Sequence, residues 1–144
     1  MSEQEGSSQA LISLSGFGYI TIITIIGGLF FFLFNYIGSD GKKVAEQFIY
    51  DLTDNRADQA KSSLHPALIK ELKPNYLESI NASTSSYTSV SWSSIEVDNN
   101  QYFLEGSAST VSGCTSNYEV ELIKAAGDNP PLITFFHIKP LCVK

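Results

Sequence analysis

The sequence predicts an α+β fold. One N-terminal transmembrane helix is followed by two or three helices packed on a curved four-stranded antiparallel sheet. Three observations predict it: an uncharged apolar run from Phe17 to Ile37, helical spacing of apolar residues between Val44 and Ile80, and four alternating runs after "NASTSSYT". Helices first and then a meander of strands places the helices on one face of the sheet.

The apolar run comes first. Its 21 residues would rise roughly 31 Å as a helix, which matches a bilayer core of about 30 Å. Its polar members are Tyr, Thr, Gly and one Asn, and Thr21 and Thr24 can bond their hydroxyls back to helix carbonyls. Tyr19 and Tyr36 stand near the two ends, where amphipathic rings prefer the interface. A cleaved signal has an apolar region of about 7–15 residues behind a basic start. The start here, "MSEQEGSSQALISLSG", has no Lys or Arg, and "NYIGSDGKK" is a poor cleavage site. A buried core helix seldom stays apolar all round over such a length. Gly27-Gly28 in mid-run reads either as tolerated glycine or as a flat spot for a second helix. The expected organisation is a polar tail over 1–16, the membrane helix over 17–37, a joint over 38–43 and a domain over 44–144.

The chain carries 9 basic and 15 acidic residues, a net charge of −6. Glu3 and Glu5 lie in the tail, so 13 acidic and all 9 basic residues follow the apolar run, joint and domain together being acidic by 4. No cluster of Lys and Arg forms the stripe that phosphate neutralisation requires, so the sequence argues against nucleic-acid binding. Topology has two opposed indicators. Lys42 and Lys43 follow the apolar run and pull the domain inward by the positive-inside rule. A surface rich in Ser, Thr, Asn and Tyr, and an even pair of cysteines, favour the extracytoplasmic (periplasmic) side.

In the joint "GSDGKK", Gly38 and Gly41 permit a bend, and Ser39 or Asp40 can cap the next helix. "KKVAEQFIYDLTDN" then puts Val44, Phe48, Ile49 and Leu52 on one helical face. Asn55 with Asp58 three residues on resembles a second helix start. Pro66 suits the first turn of a third helix, which Pro74 breaks or kinks. The four β-runs are "SYTSVSWSSIEV", "QYFLEGSASTV", "SNYEVELIKAA" and "PLITFFHIKPL", separated by "DNN", "SGCT" and "GDNPP". In the third, Tyr118, Val120 and Leu122 oppose Glu119 and Glu121. In the fourth, Leu132, Phe136 and Ile138 share one side and Ile133, Phe135 and His137 the other. That strand reads as buried on both faces, hence central or covered by helices.

"VAEQFIYDLTDNRADQAKSSLHPALIKEL" resembles the opening of nuclear transport factor 2-like (cystatin-like) domains, with a helix, a short polar turn and an Ala-containing helix leading to a "hP.L" element. "YEVELIKAAGDNPPLITFFHI" is similar to their last hairpin. The resemblance covers Lys42 to Leu141 and implies a cone of helices on a curved sheet. Bacterial relatives of the cytochrome oxidase assembly factor also pair one N-terminal span with a small α+β domain, and they are equally resembled. "GFGYITIITIIGGLFFF" resembles a pilin start, although no Glu stands at the fifth position after Gly16.

His65 and His137 are the two histidines, and neither has a ligand partner at metal spacing, so no metal or cofactor is expected. His137 would approach Glu119 or Glu121 if the last strands pair. With Glu105 they form a possible pocket for acid–base work, against which stands a solvated strand face. No phosphate loop, GxSxG or HExxH occurs, and no catalytic residue is assigned. Asn81-Ala82-Ser83 matches the glycosylation acceptor.

Cys114 and Cys142 are the disulfide candidate. In a hairpin centred on Asp128, one lies 14 residues back and the other 14 forward, which puts them level across the ladder. Two free thiols are the alternative for a cytoplasmic domain. The expected role is that of a non-enzymatic binding domain anchored in the lipid bilayer, an accessory or assembly subunit of a membrane-protein complex. A ligand-binding or catalytic cone and a pilin-like subunit are the alternatives.

Overall fold

The computed structural model describes residues 24–29 and 38–144. The chain divides into two units, Met1–Ile37 and Gly38–Lys144. In the first, residues 24–29 are helical and hold Ile25, Ile26 and Leu29 exposed. The rest of the predicted span Phe17–Ile37 lies outside the described residues. Among the described residues no helix is long and apolar enough to cross a membrane.

The second unit is α+β. Four helices, α1 (Ser39–Thr53), α2 (Ala57–Ser62), α3 (Pro66–Glu71) and α4 (Tyr76–Ser83), precede four strands, β1 (Tyr87–Asp98), β2 (Gln101–Thr110), β3 (Thr115–Ile123) and β4 (Leu132–Lys139). The strands form one antiparallel sheet in the order β1-β2-β3-β4.

α1 begins at Ser39, so most of the predicted joint is helix. Gly38 alone turns the chain, at φ 79°, and no side chain caps the helix. Ala45, Phe48, Ile49 and Leu52 are buried at helical spacing and form the contact with the sheet. Asp51, also buried, accepts from Gln47 Nε2 at 2.9 Å and pairs with Arg56 Nε at 2.9 Å. A carboxylate is costly to bury unless it is paired and hydrogen-bonded in this way. Asn55 takes φ 57°, and α2 starts two residues later at Ala57, behind Arg56, without a side-chain cap. Pro66 is in the first turn of α3, and the His65 side chain accepts from Ala67 N at 3.2 Å. The predicted third helix is two: α3 stops before Pro74, and Asn75, at φ 59°, starts α4. That makes four helices where two or three were expected.

Sheet phase is corrected by single extra residues. Ser93 is unpaired between Trp92↔Gly106 and Ser94↔Glu105, Thr88 between Tyr87↔Thr110 and Ser89↔Ser109, and Thr134 between Glu121↔Phe135 and Leu122↔Ile133. Each bulge shifts alternation by one and bends its strand. The shifts keep Val90, Trp92, Ile95 and Val97 on one face although their spacing slips from two to three.

The fourth strand departs from its prediction for this reason. Thr134 places Ile133 on the helix-packed face together with Phe136 and Ile138, rather than with Phe135 and His137. β4 is an edge strand, not a central one, and Phe135 is 42% exposed. Among the described residues its outer side is covered only at the start, where Ile133 N donates to Ser63 O (2.9 Å) and His65 N donates to Ile133 O (2.7 Å).

Cys114 and Cys142 are bridged, with Cα atoms 5.9 Å apart and a sequence separation of 28. The register Asn117↔Lys139 and Tyr118↔Ile138 continues outward to that pair, so the equal offset holds beyond the Thr134 bulge. The C-terminal segment then pairs with the end of α4: Ser85 N donates to Cys142 O at 2.6 Å, and Lys144 N to Ser83 O at 3.0 Å.

Candidate functional site

The register brings Glu105, Glu119 and His137 side by side. Glu105 faces Glu119 across β2 and β3, and Glu119 faces His137 across β3 and β4. All three are exposed, on the face away from the helices. They line a shallow depression of about 380 Å³ with Ser93, Asn117 and Lys139. Glu121 is not in it. It stands in the next row, between Phe103 and Phe135. Of the four residues named for a pocket, Glu105, Glu119 and His137 lie together on an open patch of the outer sheet face, and Glu121 lies outside it.

Asn117, Lys139 and Ser93 were not singled out from the sequence. Asn117 and Lys139 are i±2 neighbours of Glu119 and His137, so strand alternation already put them on the same face. Ser93 joins through its bulge, which alternation cannot show. Like charges directly opposed cost stability, and Lys139, one row from Glu119, supplies a compensating cation. The patch offers carboxylate acceptors beside imidazole, amide and ammonium groups. That set suits hydrogen bonding to a polar surface.

The opposite face is closed. Gly106 sits between Trp92 and Tyr118. Its missing side chain lets the Tyr118 ring lie against the strand, where a Cβ would collide with the Ser91 carbonyl oxygen and the Tyr118 hydroxyl. That hydroxyl donates to Ser91 O at 2.6 Å, and the ring meets Trp92 edge-on at 5.4 Å. Burial, with the nearby Glu46 and Tyr50, pushes the Tyr118 phenol well above its usual range. Tyr50 is also raised, by burial first and by Glu46. Neither phenol is set up to lose a proton near neutral pH.

No family model, curated protein or solved structure matches the chain.

A second concavity lies where β4 meets α4, about 390 Å³ in volume. Phe136 anchors it through ring contacts with Phe48 at 5.0 Å and Tyr76 at 6.4 Å. Asn81, the predicted glycosylation acceptor, is 7% exposed within α4, and its Nδ2 donates to Leu52 O at 3.2 Å. In the folded domain that nitrogen is committed to the core, which corrects the acceptor reading. Among the described residues no group of three or more His, Cys, Asp or Glu side chains is placed to hold a metal ion.

Proposed function

We propose that the chain is a membrane-anchored binding domain on the extracytoplasmic side, acting as an accessory or assembly subunit of a larger membrane complex. The observation that carries this reading is the Cys114–Cys142 bridge in a domain that begins directly after the apolar run. Bridges persist in oxidising compartments and are rare in the cytosol of mesophiles. The uncharged run Phe17–Ile37 has the length of a bilayer span, and Ile25, Ile26 and Leu29 are exposed along its described helical part. The positive pair Lys42–Lys43 is the opposing indicator, and two lysines are a weak bias beside a covalent bridge.

Binding is favoured over catalysis by the form of the two surfaces. The Glu105–Glu119–His137 patch is open and solvated, whereas acid–base groups work best where water is kept out. On this reading the nuclear transport factor 2-like resemblance supplies the scaffold, with helices on one sheet face and the other left for a partner. Solubilisation in a mild detergent tests it. The full-length chain should co-purify with a stoichiometric membrane-protein partner and stay in the membrane through an alkaline carbonate wash. A monodisperse, partner-free chain released by carbonate would overturn it.

A further inference from the structure

The outer edge of β4 is half covered. Ser63 and His65 engage Ile133, and then, among the described residues, no backbone bond reaches the outer edge of Phe135–Lys139. Beside that open edge lies the groove between β4 and α4. Four consecutive residues of β4, Phe136 to Lys139, line it. Side chains of consecutive strand residues point in opposite directions, so what the four share is the strand's edge. The facing wall is apolar, built from Leu52, Tyr76, Ile80, Leu141 and Val143. Tyr76 is 40% and Val143 76% exposed.

An open edge of this kind pairs with other chains unless it is blunted by charge, proline or cover. Over Phe135–Lys139 the blunting is one charge, Lys139, between the bulge at Thr134 and Pro140. Among the described residues Lys139 is the only lining residue of fixed charge, and it is a cation in a domain of net negative charge. A free edge beside an apolar pocket is the layout of strand addition, in which main-chain bonds give affinity and alternate side chains give specificity.

We propose that this groove takes an extended segment of a partner protein, with acidic residues alternating with apolar ones, which adds to β4 as a fifth strand. The apolar side chains would fill the space beside Phe136 and Tyr76, and a carboxylate would meet Lys139. A second copy of this chain is disfavoured as the occupant, because its own edge, Phe135–Lys139, carries no carboxylate to meet Lys139. The groove's role rests on the binding reading above and gives its partner a chemistry.

The test uses the full-length chain in detergent and a synthetic peptide of about eight residues alternating glutamate with valine or leucine. Hydrogen exchange should slow at the amides of residues 135–139 when the peptide is added. Lys139→Glu, whose thermal transition is measured beside the parent's, should weaken binding about tenfold or more. A peptide with lysine in place of glutamate should not bind the unaltered chain. Absence of protection at millimolar peptide, equal binding of the lysine peptide, or protection at 135–139 that grows with protein concentration alone would each overturn the proposal. The last of these would identify a second copy as the occupant. Thiol state and membrane retention are read on the same preparation. A bridged, membrane-retained chain that ignores the peptide defeats the groove alone, and an unbridged chain that binds it defeats the exported reading alone.

Discussion

The two faces of the sheet are built from the same four strands and have opposite tolerances. On the inner face, Leu104, Val120 and Phe136 stand in one row and Gly106, Tyr118 and Ile138 in the next, against α1. On the outer face, Glu105, Glu119 and His137 fill the intervening row and meet solvent. One residue of phase separates a packed position from a free one. Three bulges keep that phase, and all three fall on small polar residues, Thr88, Ser93 and Thr134. Conserving the inner rows costs the outer face its regularity, which is how Ser93 comes to enter the Glu105–Glu119–His137 patch.

The contrast can be broken at its tightest point. Gly106→Ala puts a methyl group into the Ser91 carbonyl and the Tyr118 hydroxyl, and one of these is immovable backbone. The expected loss is about 3 kcal/mol, at the upper end of the usual range for core overpacking. Urea unfolding followed by Trp92 fluorescence measures it, and a loss below about 1 kcal/mol would contradict the packing described.

The bridge comes next. It closes a 28-residue separation and extends the inner face past Ser116, with Cys142 in the core. Replacing both cysteines by serine should lower stability by about 3 kcal/mol, and at most about 4 by the chain-entropy estimate. Calorimetry of the double variant beside the parent checks this.

Alkaline pH probes the same face without mutation. The Tyr118 pKa in the fold is raised above its ordinary value of 10.0, so the folded state favours the neutral phenol. Its contribution is present in full below pH 10.0 and is lost as pH rises above that value towards the folded pKa. Tyr50 acts in the same direction. Tm should therefore decline above pH 10. Tyr118→Phe, which costs about 1 kcal/mol of hydrogen bonding at neutral pH, should make that decline shallower. An unchanged slope would remove Tyr118 as its cause.

The outer face should barely respond. Glu119→Gln and His137→Ala are each expected to change stability by no more than about 0.5 kcal/mol. Glu119→Gln also relieves an opposed carboxylate pair and should err on the stabilising side. A large loss from either would show that the patch is structural.

Much of this contrast was legible in the sequence. Strict alternation in "YEVELI" assigned both faces of β3, and turn residues delimited all four strands. The equal offset of Cys114 and Cys142 from Asp128 located the bridge because the Thr134 bulge moves the register by one, from Leu122↔Ile133 to Glu121↔Phe135, onto the offset at which the two cysteines are level. That same bulge hid the character of β4: "LITFF" reads as apolar on both faces when alternation is taken as unbroken. The Glu105–Glu119–His137 row needed cross-strand register, which one strand's pattern does not contain. Gly106 was visible as a lone glycine within a strand, but the ring lying over it came from two other strands. The tripeptide at Asn81 carried no sign that its side chain turns inward to Leu52 O.

A bridged domain held on the exported side of a membrane is what we propose, and thiol alkylation of carbonate-washed membranes tests it most directly. The protein is denatured and alkylated with and without prior reductant, and the labels per chain are counted by mass. The expected result is retention in the membrane pellet with no label before reduction and two after it, at Cys114 and Cys142. Two labels without reductant, or release of the chain into the wash, would contradict it.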